Sequence, residues 1–346
     1  MRLLQTIAGG NVGGAEEFFV RLAVAFVRAG VEQLVAMRPN DGRGGRLRQA
    51  GVATVELPFG GLLDRRTVPG ISAAIDDFGP DIVLSWMSRG ASMTARAVSR
   101  SARKPVHVAR LGGYYDLKYY RGCDALIGNT PDIVRYLVGN GWPEARAHYV
   151  PNFVPADPAA EVPRADLGVP GDATLVLAAG RLHPNKAFDV LIRSMASLPG
   201  VHVALAGDGA EEGALRDLAA RLGVTDRLHL LGWRSDVAAL METADILACP
   251  SRIEPLGNVV IEAWARSLPV VASRAAGPAW LIRDGADGLL VPLEDADALA
   301  AAIRRVAHDP ALGKRLAEAG RGRFQAEFTE ASVVARYLSL FAELAG

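Results

Sequence analysis

The sequence predicts an α/β protein built as two Rossmann-like, doubly wound domains facing across a cleft. Short, continuous apolar runs alternate with amphipathic stretches along the whole chain, as parallel strands covered on both faces require. The alternation restarts after residue 150, beyond the proline-rich segment Tyr149-Val150-Pro151-Asn152-Phe153-Val154-Pro155-Ala156-Asp157-Pro158. A chain of 346 residues is long enough for two domains, each with its own core.

In chain order, residues 1–8 read as the first strand, then come a glycine loop and a helix over about 15–28. Runs at 34–37, 54–57, 82–86, 106–109 and 125–128 read as further buried strands, with helices between them. Residues 149–158 cannot continue a helix and are expected to form an extended linker. Strands resume at 174–179, 201–206, 228–231, 246–249, 269–272 and 288–291. The tail places Val333, Val334, Tyr337, Leu338, Leu340, Phe341 and Leu344 at helical spacing. The expected domains are therefore 1–150, joined by the tail helix 328–344, and 151–327. Open α/β sheets bind ligands at the carboxyl ends of their strands, so the site is sought there.

Composition excludes several classes. Half the residues are apolar and 22% are charged, which rules out a disordered chain. No stretch approaches the ~20 apolar residues of a spanning helix, and the opening segment is too short in its apolar part for a signal peptide. Cys123 and Cys249 stand far apart and outside any C-x-x-C spacing. That excludes a disulfide scaffold or zinc ribbon and suits a reducing cytoplasm. No His or carboxylate cluster has metal-ligand spacing, so no metal or other cofactor is expected.

Three clusters carry candidate chemistry. The loop Gly9-Gly10-Asn11-Val12-Gly13-Gly14-Ala15-Glu16 follows a strand and opens a helix, where backbone N–H groups and the helix dipole can meet an anion. It is neither G-x-G-x-x-G nor a Walker loop, and a plain tight turn is the alternative. The second cluster is Gly180-Arg181-Leu182-His183-Pro184-Asn185-Lys186, between a strand end and a helix start. A guanidinium forks two oxygens and an ammonium acts as a point charge, so Arg181 and Lys186 together can neutralise a diphosphate. The third is Pro250-Ser251-Arg252-Ile253-Glu254-Pro255-Leu256-Gly257-Asn258-Val259-Val260-Ile261-Glu262. Here a loop carries Glu254, a helix starts near Gly257, and Glu262 lies about one turn in. Its neighbours are apolar, so the Glu262 carboxylate needs a partner. A carboxylate at that place can accept two hydrogen bonds from a ribose diol, while the amides at the helix start suit phosphate oxygens.

With these residues in place, the chain resembles the retaining nucleotide-sugar glycosyltransferases of the GT-B fold, the large family-4 group. The resemblance rests on Gly13-Gly14-Ala15-Glu16, Gly180-Arg181-Leu182 with Lys186, Ala206-Gly207-Asp208-Gly209, Leu231-Gly232, Pro250-Ser251 followed by Glu254-x7-Glu262, and Gly285-x-x-Gly288-Leu289-Leu290-Val291. The set runs in the family's order over nearly the whole chain. It implies that Arg181 and Lys186 bind the donor diphosphate, Glu262 the ribose, and Glu254 the hydroxyls of the transferred sugar. The amides from Leu256 through Gly257 and Asn258 to Val259 would contact sugar and phosphate, and Gly13 with Gly14 would approach the diphosphate from the other domain. Trp233 and Arg234, after Leu231-Gly232, would lie near the nucleobase. Glu254, Arg181 and Lys186 are thus the catalytic candidates, with helix dipoles and fixed cations drawing off the diphosphate in place of a metal.

Two positions depart from the family pattern. The strand Val106-His107-Val108-Ala109 is followed by Arg110 and Leu111 where relatives carry a histidine, and His107 falls inside the strand, where it reads as a core or sheet-face residue. Trp280 stands near a position where relatives often carry glutamate. The stretch Arg110-Leu111-Gly112-Gly113-Tyr114-Tyr115-Asp116-Leu117-Lys118-Tyr119-Tyr120-Arg121 holds four of the seven tyrosines among cations. It reads either as a packed loop or as an acceptor-side surface on which Arg110, Tyr114 and Lys118 meet sugar faces and acidic groups. An isoelectric point near 7.0 speaks against nucleic acid as a partner.

The expected function is transfer of a hexose-type sugar from a nucleoside-diphosphate sugar to a glycan or lipid-linked acceptor, with retention, as in lipopolysaccharide or polysaccharide synthesis. The alternative is a GT-B sugar-nucleotide epimerase or hydrolase that needs no acceptor. An NAD-dependent dehydrogenase lacks its glycine fingerprint here. Residues 1–150 carry 19 Lys and Arg against 13 Asp and Glu, gathered as Arg43, Arg46, Arg48, then Arg65-Arg66, then Arg100, Arg103-Lys104. That asymmetry supports either reversible docking on the anionic inner face of the cytoplasmic membrane or a freely soluble cytoplasmic enzyme with scattered arginines.

Overall fold

The computed structural model describes residues 1–10, 13–61 and 63–346. The chain divides into two units, Met1–Asn152 with Glu330–Gly346, and Phe153–Thr329.

The first unit holds seven parallel strands: β1 (Arg2–Ile7), β2 (Glu32–Met37), β3 (Ala53–Glu56), β4 (Ile82–Trp86), β5 (Val106–Leu111), β6 (Ala125–Gly128) and β7 (Ala147–Tyr149). Their order in the sheet is β3-β2-β1-β4-β5-β6-β7. The second unit holds β8 (Thr174–Ala179), β9 (Val201–Ala206), β10 (Leu228–Gly232), β11 (Ile246–Cys249), β12 (Val270–Ser273) and β13 (Leu289–Val291), in the order β10-β9-β8-β11-β12-β13. Both orders reverse direction once, at β1/β4 and at β8/β11. A crevice forms at such a reversal because the crossover helices leave to opposite faces there.

Burial on both faces explains the apolar runs. Along β8, Val176 and Ala178 pack with Leu191 and Ile303 on one face. Leu175 and Leu177 pack with Val260, Trp264 and Phe324 on the other. The C-terminal helix Glu330–Ala345 belongs to the first unit, where Tyr337 and Phe341 meet Phe26 of the helix Gly14–Arg28 at ring separations of 5.7 and 6.2 Å.

The expected linker at 149–158 needs correction. Tyr149 ends β7, which pairs with β6, and residues 150–154 are buried, Val154 in the core of the second unit. Exposure begins only at Pro155. A three-residue edge strand is too short to show a period, so β7 escaped the sequence pattern.

The basic clusters are also largely spoken for. Arg43 is buried and donates to the Gly10 carbonyl, while Arg46 pairs with Glu17 and Arg48 with Glu56. The Lys104 ammonium donates to the carbonyls of Val98, Ser99 and Ser101, neutralising the end of the helix Met87–Arg100. Arg65, Arg66 and Arg100 stay exposed. Among the described residues, no helix is long and apolar enough to cross a membrane.

His107 is fully buried on β5. Its Nδ1 lies 3.1 Å from the Gly122 carbonyl, which can only accept, so Nδ1 carries the proton and Nε2 accepts from Ser85 Oγ at 2.8 Å. Burial holds this imidazole down to about 4, against the opposing pull of the Gly122 carbonyl and Asp124. The unfolded chain takes up this proton near pH 6.5 and the native one does not, so stability falls as pH drops from 6.5 toward 4. Urea unfolding is expected to show ~3 kcal/mol less pH-dependent loss over that window in His107→Gln than in the parent. Equal pH slopes for the two proteins would show that His107 titrates normally.

Candidate functional site

The site is built where β8 and β11 lie side by side. Past β8, Gly180 takes φ +150° and its N–H donates to the Ala206 carbonyl at 2.9 Å, while Leu182 N–H donates to the Asp208 carbonyl at 2.7 Å. Gly207 N–H continues the chain of contacts to the Gly232 carbonyl at 2.7 Å. A Cβ on Gly207 would stand 1.9 Å from the Gly180 oxygen, and one on Gly209 would stand 2.3 Å from the Leu182 oxygen. The motif Ala206-Gly207-Asp208-Gly209 therefore buttresses the loop that presents Arg181. Leu182 is buried and anchors that loop, leaving Arg181 exposed beside it.

Past β11, a second loop is clasped to the first. Arg252 and Ile253 donate backbone N–H groups to the Asn185 carbonyl at 2.8 and 3.1 Å. The Arg252 guanidinium forks both Asp189 oxygens at 2.8 Å and also holds Pro184 and Glu294. The hydrogen bonds Arg252 donates to Asp189, then to Glu294, raise its pKa above its ordinary value. Neither Arg252 nor Asp189 was assigned a role from sequence. An Arg and an Asp more than sixty residues apart carry no local signal that they meet.

The clasp delivers Glu254 to Lys186. Glu254 Oε2 lies 2.5 Å from Lys186 Nζ, and Oε1 accepts from Gly257 N–H at 3.2 Å. Gly277, also unassigned in the sequence, donates its N–H to the Glu254 carbonyl at 2.7 Å. A Cβ at Gly277 would meet that carbonyl oxygen and the Leu256 carbonyl carbon at 2.6 Å, so the backbones touch only because this residue is glycine.

Gly257, at φ +80°, starts the helix Asn258–Trp264 with the first-turn amides of Asn258 and Val259 at the loop end. Glu262 is half-buried one turn further on. Leu256 is buried beneath the loop. Cys249, at the end of β11, is sealed in; burial and the Glu254 charge push its thiol up to about 11, which makes it no nucleophile near neutrality.

The remaining candidates separate. Trp233 follows β10 on the same sheet edge and is 70% exposed. Arg234 is not a free cation: it forks Asp236 two residues on, at 2.8 and 2.6 Å, which neutralises it locally. In the first unit, Asn11 and Val12 lie outside the described residues. Gly13 has extended backbone and caps the helix Gly14–Arg28, whose Glu16 reaches back to accept from Gly10 N–H at 2.6 Å. A Cβ on Gly13 would lie 2.3 Å from Glu16 Oε2, so Gly13 makes room for a helix-capping carboxylate.

Arg110 was expected on an acceptor surface and is instead 2% exposed. It stacks on Phe18 and Trp86 at 4.5 and 4.8 Å, donates to Tyr337 Oη at 2.8 Å and holds Asn152 Oδ1. These contacts tie the C-terminal helix to the first sheet, and they leave Arg110 no surface for an acceptor. Tyr114 donates to Asp132 and meets Tyr136 edge-on, and Lys118 pairs with Asp116 at 2.7 Å.

Two parallel-sheet α/β units, each reversing once, have the GT-B architecture. The family model of glycosyl transferases group 1 matches residues 160–323, and a glycosyl transferase 4-like domain matches residues 13–152. The lipopolysaccharide core biosynthesis glycosyltransferase LpsE of Rhizobium meliloti (strain 1021) is 37% identical over 337 residues, covering 96% of this chain and 97% of that one. LpsD of the same organism is 36% identical, with 96% of each covered. The crystal structure of Anabaena Alr3699/HepE in complex with UDP superposes with a TM-score of 0.88 at 21% identity, covering 99% of this chain and 100% of that one. The chain belongs to the group 1 glycosyltransferases.

Proposed function

We propose that the protein moves a hexose-type sugar from a nucleoside-diphosphate sugar to a glycan or lipid-linked acceptor in lipopolysaccharide or polysaccharide assembly, with retention and without a metal. The observation that carries this reading is the Lys186–Glu254 pair, held where β8 and β11 part, with Arg181 on the same loop. Arg181 and Lys186 stabilise charge that develops on the departing diphosphate. Glu254 positions the donor sugar, Glu262 accepts from the ribose, the amides from Leu256 to Val259 meet sugar and phosphate, and Trp233 offers a face to the base. The acceptor hydroxyl then attacks the oxocarbenium-like sugar on the face the diphosphate leaves, and the leaving phosphate takes the proton. The lipopolysaccharide-core relatives support the acceptor class, and the UDP complex of the structural relative makes UDP the first nucleotide to try.

A thermal-shift screen against UDP, GDP and ADP is expected to raise Tm with the donor's nucleotide. Arg181→Ala should weaken that nucleotide about tenfold to a hundredfold, the worth of a charge-assisted hydrogen bond. Glu262→Gln should mainly weaken the donor, whereas Glu254→Gln should mainly slow turnover. Transfer that persists in EDTA and gives the donor's anomeric configuration by NMR agrees with the proposal. No response to any nucleotide, or no loss in Arg181→Ala, would overturn it. Docking on an anionic membrane now rests on Arg65, Arg66 and Arg100, and flotation with anionic against neutral vesicles at low salt tests it.

A further inference from the structure

A cavity of about 630 Å³ opens in the first unit beside the turn Leu117–Tyr119 and the helix Pro131–Gly139. Arg146, in its lining, donates to the carbonyls of Cys123 and Asp124 just before β6. Arg146 itself stands just before β7, so the cavity sits at the amino edge of this sheet. Ligands of the fold are expected at the opposite, carboxyl edge, so this cavity is a separate feature.

Its lining carries three cations, Lys118, Arg121 and Arg146, against the single carboxylate of Asp116. Lys118 holds Asp116, the single carboxylate of the lining, at 2.7 Å, and the Arg121 charge also acts on it, so the lining keeps a surplus of positive charge. Arg146 spends its donors on carbonyls and lies over the Trp142 ring at 5.2 Å, keeping its charge. Arg121 is exposed and has no ion pair or hydrogen bond among the described residues. Half-buried Tyr136 is the aromatic surface the lining offers, because Trp142 is 8% exposed and lies in the core beneath Arg146; both are fixed independently of any guest. Trp142 Nε1 donates to the Arg146 carbonyl at 2.9 Å, and Tyr136 Oη donates to the Tyr115 carbonyl at 3.1 Å.

We propose that this cavity binds a short stretch of acidic saccharide, carboxylated or phosphorylated, within the acceptor glycan; this rests on the glycan-acceptor reading above. Aromatic side chains meet the apolar faces of sugar rings, and guanidinium groups fork carboxylate or phosphate oxygens. A neutral sugar would leave the surplus positive charge uncompensated. Inorganic phosphate would leave the half-buried Tyr136 ring unused, and a bilayer surface cannot enter a concavity. The volume lies in the range of small-ligand sites.

Calorimetry on the intact protein should show binding of tetragalacturonate and of a phosphorylated mannan oligosaccharide, but not of neutral maltotetraose. Arg121→Glu should weaken the acidic sugars about tenfold or more, the scale of one charge-assisted bond, with Tm unchanged. Failure of both acidic sugars to bind, or full binding by Arg121→Glu, overturns the assignment. Inorganic phosphate binding as tightly as the acidic sugars reduces the cavity to an anion site and also overturns it. So does recovery on phosphatidylglycerol vesicles that Arg121→Glu loses while sugar binding is absent. The readout is sugar binding alone: active transfer without it overturns only the cavity, whereas binding without transfer leaves the cavity standing and removes the transfer reading.

Discussion

Lys186→Met is expected to lower kcat/KM for sugar transfer by ~10²-fold while the protein stays folded. The ammonium lies 2.5 Å from Glu254 Oε2, and the Glu254 side chain is only 12% exposed. Removing Lys186 leaves that carboxylate with the Gly257 N–H at 3.2 Å as its recorded hydrogen bond. Truncating one partner of a buried, hydrogen-bonded charge pair costs about 2–5 kcal/mol, much of it from stranding the other charge. The Lys186 side chain is 27% exposed, so water moderates the cost to ~3 kcal/mol. Kinetics on Lys186→Met, Glu254→Gln and the double variant close a double-mutant cycle. The double variant should lose little more than the worse single one. Losses that simply multiply would show two independent groups and end the argument for a working pair.

Gly277→Ala is expected to slow turnover by a similar factor through geometry alone. Its added Cβ would lie 2.6 Å from the Glu254 carbonyl oxygen and from the Leu256 carbonyl carbon, both main-chain atoms with no flexible end to yield. The loop must move, and it carries Glu254 away from Lys186. A displacement of about 1 Å at a catalytic group can cost ~10²-fold in rate. Gly213→Ala is the control: it lies in the helix Glu212–Arg221 with open space at its Cβ, and alanine should stabilise it by about 0.5–1 kcal/mol. Parallel measurement of kcat and Tm separates the two effects. If Gly277→Ala turns over normally, the contact of that glycine with the loop has no bearing on catalysis.

The strands and the loops between them were legible because each depends on local pattern. Parallel strands buried on both faces are largely apolar, and uninterrupted apolar runs of four or five residues stand in β8 (175–179), β9 (203–206) and β11 (Ile246–Cys249). Glycines at 180, 207 and 257 mark turns that side chains tolerate poorly, so they register in the sequence as well. The arginines were a different matter. Arg43, Arg110 and Arg234 look alike in sequence to Arg181, yet one supports a loop, one packs against Phe18 and Trp86, and one pairs with Asp236. For Arg234 a signal existed, since Asp236 stands only two residues away. For Arg110 none did, because Tyr337 reaches it from 227 residues along the chain.

By itself the sequence determined the α/β class, the parallel strands, the order of the glycine motifs and the shortlist of Arg181, Lys186, Glu254 and Glu262. The first three follow from periodicity and from backbone conformations that few residue types accept; the four charged residues stand out by their place at strand ends and helix starts, and their roles are what the family resemblance implies. Only the tertiary structure decided which charges meet. It paired Lys186 with Glu254, recruited Arg252, Asp189 and Gly277 to hold them, and withdrew Arg110 and Arg234. The physical reason is range: hydrophobic period and φ preference act within a few residues, whereas an ion pair depends on the folded position of both partners.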